Sequence, residues 1–183
     1  MPVKAPLHSS YPIGSVILYN VTTILHYVLG GAAIVHAYRS SPVAAWVSGV
    51  TYLLLALVQM YVVMPLVVCP ACVYHRLEGS RCISGLAAVS RLVAPSRPVR
   101  TFGRRADGVF CPNNLYLVAL LLPIVALIPP LVIARTNTLL VFLGTLLVLL
   151  LFRFFVLFPR IACLHCRAKF VCPQAAAMGV REV

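Results

Sequence analysis

Four apolar stretches, each long enough to cross a bilayer, constrain this chain more than any other feature. They run from about Pro12 to His36, Pro42 to Val68, Leu115 to Ala134 and Thr138 to Phe158. A helix needs about 20 apolar residues to traverse the hydrocarbon core. Inside lipid only helices and closed barrels satisfy their own backbone. The stretches lack the period-two alternation of barrel strands, so they predict four transmembrane helices. Composition agrees: the chain is 62% hydrophobic and 10% charged, outside the range of soluble domains. Met1 to Ser10 is polar with two prolines, and the apolar run behind it is too long for a cleavable signal. The first helix is therefore expected to be retained.

The basic residues set an orientation. Lys4, Arg76, Arg81, Arg91, Arg97, Arg100, Arg104, Arg105, Arg160, Arg167, Lys169 and Arg181 fall on one side of the four helices; Arg39 and Arg135 fall on the other. Twelve against two puts both termini and the central loop in the cytoplasm of a cell-membrane, multi-pass protein. Arg153 lies within the last helix, about one and a half turns from its expected cytoplasmic end, and is expected to snorkel there. The net charge of +12 is read as contact with anionic lipid headgroups and not with nucleic acid, because the basic residues flank helices.

A cysteine pattern occurs twice. Tyr61-Val62-x-x-Pro65-x-x-x-Cys69-x-x-Cys72 is followed by Cys82, and Phe155-Val156-x-x-Pro159-x-x-x-Cys163-x-x-Cys166 by Cys172. An offset of 94 residues superposes the prolines and both cysteines of each motif, and also Gly14 on Gly108 and Asn20 on Asn114. The expected fold is therefore all-α. Four transmembrane helices form two hairpin repeats about a pseudo-twofold axis along the membrane normal, with a cysteine-rich cytoplasmic loop and C-terminal tail. The chain is taken as one membrane domain, residues 1–183. Repeat 1 covers about 12–82 (helices 12–36 and 42–68), a linker loop 83–110, and repeat 2 about 111–172 (helices 115–134 and 138–158). In the loop, Ile83, Leu86, Ala87, Val89, Leu92 and Val93 form an apolar stripe opposite Ser84, Ser90 and Arg91, which predicts an interfacial helix. Pro123, Pro129 and Pro130 predict a kink in the third helix, or its end near Ile128.

Cysteines clustered on a reducing face point to metal or redox chemistry more than to a disulfide framework. Cys-x-x-Cys places two sulfurs on one turn, and a third cysteine supplies three of the four ligands of a tetrahedral zinc site. The candidate ligands are Cys69, Cys72, Cys82, Cys111, Cys163, Cys166, Cys172, His75 and His165. Zinc is the first expectation and an iron–sulfur cluster the second. The protein would be a rigid platform or an electron carrier with a membrane or redox protein partner. The nearby Arg76, Arg81, Arg160, Arg167 and Lys169 are expected to lower the thiol pKa values. Haem b is not favoured: His26 and His36 are the histidines at membrane depth, and both lie on the first helix. His26 is expected to bond a neighbouring carbonyl or hydroxyl. His8, on the tail, is assigned no role.

Two other classes compete. Cys69-Pro-Ala-Cys72 and Cys163-Leu-His-Cys166 have the form of thioredoxin-type motifs, and would serve a membrane thiol–disulfide oxidoreductase with these four cysteines as the reacting groups. A four-helix bundle with two cysteine pairs resembles, in architecture only, the quinone-linked disulfide-forming enzymes of the bacterial periplasmic and vitamin K epoxide reductase types. Here the pairs follow the second and fourth helices and face the cytoplasm, and the third cysteine of each motif has no counterpart in that scheme. A soft-metal transporter or sensor is the remaining class, although no ladder of acidic, Cys or Met residues runs through the helices.

Overall fold

Four helices are long and apolar enough to cross a membrane: Ile13–Ala37, Pro42–Ala71, Asn114–Ile133 and Asn137–Cys163. The structure, a computed structural model, describes residues 6–105 and 112–180. The described residues form no strand, only an isolated bridge between His8 and Cys166. The first helix packs against each of the other three. Its buried positions include Tyr19, Thr22, Thr23, His26, Tyr27 and Gly30, the three- and four-residue spacing of one helix face. That face is polar and aromatic, whereas the opposite side exposes Ile17, Val21, Ile24 and Val28 to lipid.

Two devices bring the helices together. Small residues let backbones approach: a Cβ on Gly49 would stand 2.8 Å from the Gly31 carbonyl, and one on Gly30 would meet the Pro123 ring at 2.9 Å. Tyrosines repair what the prolines break. The third helix, which starts at Pro112, runs unbroken through Pro123, Pro129 and Pro130 to Ile133, past the end expected near Ile128. Proline lacks the N–H that would bond the carbonyl four residues back. The freed carbonyl of Ala119 accepts the Tyr52 hydroxyl at 2.9 Å, and that of Ala126 accepts the Tyr38 hydroxyl at 2.9 Å. Neighbouring helices thus supply the missing donors, which lipid cannot.

The second and fourth helices extend beyond the apolar stretches read from sequence. The second reaches Ala71 instead of Val68, and the fourth reaches Cys163 instead of Phe158. Both contain π-helical turns, Gln59–Val63 before Pro65 and Arg153–Cys163 around Pro159. A wider turn eases the clash of a proline ring with the preceding carbonyls, so the helix continues where a tighter one would stop.

The loop helix spans Leu86–Val93, but its faces differ from the expected ones. Leu86, Ala87 and Ser90 are buried, while Val89, Leu92 and Val93 are exposed, Leu92 at 88%. Ser90 turns inward because its hydroxyl meets His75 Nδ1 at 3.1 Å. Arg91 also folds in, donating to the carbonyls of Tyr74, Leu77 and Ser80. Polar partners, not apolar area, thus orient this helix. It begins at Gly85, whose φ of 75° favours glycine.

Candidate functional site

The two Cys-x-x-Cys turns have matching backbones. Cys72 N–H donates to Cys69 O at 2.9 Å, and Cys166 N–H to Cys163 O at 3.2 Å. Both second cysteines are extended (φ −78°, ψ 148° and φ −79°, ψ 127°) and cap short helical turns, Val73–Arg76 and Arg167–Phe170. His75 N–H then donates to Cys72 O, and Lys169 N–H to Cys166 O, each at 3.1 Å. The Tyr74 amide bonds the Cys72 sulfur and the Ala168 amide the Cys166 sulfur. Each of these pairs is separated by 94 residues.

The turns lie side by side. Cys72, Cys82 and Cys166 all pack against one buried group, Tyr11, Tyr74 and Ala87. Cys72 and Cys172 share a second, Val68, Ala71 and Phe102. Cys69 and Cys163 sit against the main core inside the ends of their helices. Cys82 Sγ accepts the Ala87 amide at 3.4 Å and lies 3.4 Å from Ser84 Oγ. These six cysteines are free thiols. Cys111 lies outside the described residues.

Cys72 and Cys166 are not activated by the basic residues around them. Burial pushes Cys72 up to about 12; the Tyr74 amide opposes it, and Cys166, Cys82 and Cys172 reinforce it. Burial likewise pushes Cys166 up to about 11, against the Ala168 amide and the Tyr74 hydroxyl. No Arg or Lys contributes to either shift. The expected lowering of these two pKa values by positive charge therefore gives way to desolvation, which favours the neutral thiol.

The candidate histidines have their Nδ1 atoms engaged. His75 is buried, with Nδ1 at Ser90 and its pKa lowered by burial and then by Arg91 and Arg76. His165 Nδ1 meets the Pro6 carbonyl at 2.9 Å, so that nitrogen carries the proton. In each ring only Nε2 is left for a metal, the arrangement in which a partner on the other nitrogen orients a ligating imidazole. Among the described residues, no three His, Cys, Asp or Glu side chains stand close enough to hold one ion as placed. The donor set nonetheless suits a soft ion: sulfur ligands whose amide donors would stabilise thiolate charge.

A tail strap joins the two turns, a contact with little local signature. His8 N–H donates to His165 O at 3.0 Å, and its carbonyl accepts the Tyr74 hydroxyl at 2.8 Å. Tyr74 Oη also accepts Arg167 N–H at 3.2 Å. Tyr11 ties its amide to Arg81 O and its hydroxyl to Ala162 O. The His8 and His165 rings lie 4.8 Å apart. His8, assigned no role from sequence, is thus a structural link. Two aromatic side chains and a proline in a polar tail were the available signal.

A second constellation lies within the membrane. Arg153 does not snorkel; it is 1% exposed. Its helix runs ten residues further, so the end at Cys163 is on the order of 15 Å away, beyond the reach of the side chain. Nη2 donates to Thr23 Oγ1 at 2.7 Å and Thr22 Oγ1 at 3.3 Å. The guanidinium lies 5.4 Å from the Tyr19 ring centre, 5.6 Å from Tyr116 and 5.9 Å from Phe158. Cation–π contacts are worth about 0.5–2 kcal/mol each, against several kcal/mol to bury an ion. His26 Nε2 donates to Leu120 O at 2.9 Å, the carbonyl partner expected for it.

No protein-family model, curated protein or solved structure matches the chain.

Proposed function

We propose that this multi-pass helical membrane protein carries a single soft-metal site on one membrane face, bridging its two hairpins, with zinc the first candidate and an iron–sulfur cluster the second. The carrying observation is that Cys72 and Cys82 from one half and Cys166 from the other pack on the same three buried residues, each sulfur accepting a backbone amide. Cys172 or His75 would complete the ligand set, with Cys69, Cys163, Cys111 and His165 in reserve. Bound zinc would add folding free energy and lock loop, tail and helix ends into one platform; an iron–sulfur cluster would instead accept and release an electron. The chain's own contribution is to hold the turns together through Tyr74 and Tyr11 and to keep the thiols half-buried.

The two-repeat reading, with its pseudo-twofold axis along the membrane normal, is supported by the backbone bonds that recur at an offset of 94 residues. The distribution of basic residues supports placing the thiol face in the cytoplasm and against anionic headgroups. A thiol–disulfide oxidoreductase is the second reading. It is favoured by the two Cys-x-x-Cys turns and by the lack, among the described residues, of three ligating side chains close enough for one ion as placed, and opposed by the raised pKa values of Cys72 and Cys166.

Elemental analysis with an absorbance spectrum, on anaerobically prepared protein in detergent, separates these readings. Zinc with a featureless visible spectrum supports the platform, and iron with broad absorbance the carrier. Metal-free protein whose thiols oxidise and reduce reversibly in pairs would overturn the metal reading and establish the second.

A further inference from the structure

Arg153 places a positive charge within the last of the four spans, and none of the spans contains an acidic residue. The chain's three acidic residues are Glu78, Asp107 and Glu182, all outside the four spans. Arg153 is more than nine-tenths buried, and its Nη1 has no hydrogen-bond partner among the described residues. The hydroxyl of Tyr27, also fully buried, has none either, and Tyr27 lies one turn along the same buried helix face from Thr23, which accepts from the guanidinium. Two donors without acceptors, one of them charged, in a region free of carboxylates, define the complement of a singly charged anion. The surrounding rings and threonines satisfy the other guanidinium nitrogen but bring no negative charge. His26 Nδ1 is unpartnered too. Because Nε2 must donate to the Leu120 carbonyl, Nδ1 of the neutral ring presents a lone pair and is not needed as an anion donor.

We infer that Arg153 Nη1 and Tyr27 Oη form an intramembrane binding site for a monovalent anion with acceptor lone pairs, such as the carboxylate of a lipid-borne acid or a small free anion. Arg is suited to the role because it stays charged in low dielectric and donates in a fixed fork. An intramembrane ionisable group without an internal counter-ion marks a ligand or ion site. Leu151 and Phe155, two residues to either side of Arg153, are exposed on the outer surface of the same helix. This site is separate from the thiol face and stands whether or not metal binds there.

The test uses full-length, delipidated protein in a neutral detergent. The probes are oleate labelled with carbon-13 at the carboxyl, and chloride and nitrate as the free-anion arm. The expected result is saturable binding of oleate, with a carboxyl resonance that stays ionised to lower pH than that of oleate in detergent alone. Tyr27→Phe should weaken binding about tenfold and Arg153→Gln should abolish it. Saturable binding of nitrate or chloride that displaces oleate would assign the site to a free anion and uphold it. Where Arg153→Gln fails to fold, Tyr27→Phe decides, since it keeps the ring and removes only the hydroxyl. The inference is overturned if neither probe binds wild-type protein saturably, or if the folded variants bind like wild type.

Discussion

The two Cys-x-x-Cys turns share a backbone and differ in what surrounds it. Amide for amide, the first turn repeats in the second. Yet the first continues into buried His75 held by Ser90 on the loop helix, and the second into Lys169, which donates to the Leu164 carbonyl at 3.2 Å. The first is covered by the loop helix and the second by the N-terminal strap through His165. Tyr74 belongs to the first turn but bonds the second. Two turns with matching backbone bonds can thus pack side by side, while unrelated covers hold each from outside. The helices leading into the turns differ as well. Gln59 begins the π segment of one and Arg153 that of the other, and both are buried polar residues at membrane depth.

Breaking one turn at a time tests whether they are one site. The largest effect is expected from Cys72→Ser and Cys166→Ser. Under the single-site reading, either substitution should reduce bound metal to background, measured by elemental analysis; a drop to half in each variant would show two independent sites. Next comes Tyr74→Phe, which removes the hydroxyl joining the turns through His8 and Arg167. It should cost about 1–3 kcal/mol, because it leaves buried groups unpaired, and denaturant unfolding in detergent would check it. Ser90→Ala should cost roughly 1 kcal/mol by stranding His75 Nδ1. That loss should appear as faster proteolysis in the loop helix while the second turn is unaffected. The smallest effect is expected far from both turns: Tyr38→Phe, which frees the half-exposed Ala126 carbonyl, should cost about 0.6 kcal/mol or less, measured by the same unfolding assay.

How much was legible follows from the range of each interaction. The four spans were visible because hydropathy is a property of consecutive residues, and each was placed within a few residues at most points. The ends of the second and fourth helices were missed because the apolar stretches stop at Val68 and Phe158, whereas the helical backbone, with π turns beside Pro65 and Pro159, continues past them. Arg153 was misplaced as a consequence: a helix ending at Phe158 allows snorkelling, and one ending at Cys163 does not. The loop helix was found from its periodicity, but its inward face was decided by Ser90 and Arg91, whose partners lie on another segment. The cysteine motif was plain; the meeting of Cys72, Cys82 and Cys166 on one aromatic floor was not, since Tyr11 and Tyr74 are separated by a whole hairpin.

Consecutive residues were enough to mark four helices apolar enough to cross a membrane and two Cys-x-x-Cys turns, because hydropathy and the spacing of cysteines act locally along the chain. Tertiary packing settled which thiols share a floor, which carbonyls the tyrosines repair, and that a guanidinium is enclosed with no carboxylate partner among the described residues. Those outcomes depend on which distant groups become neighbours when backbone and charge must be satisfied away from water.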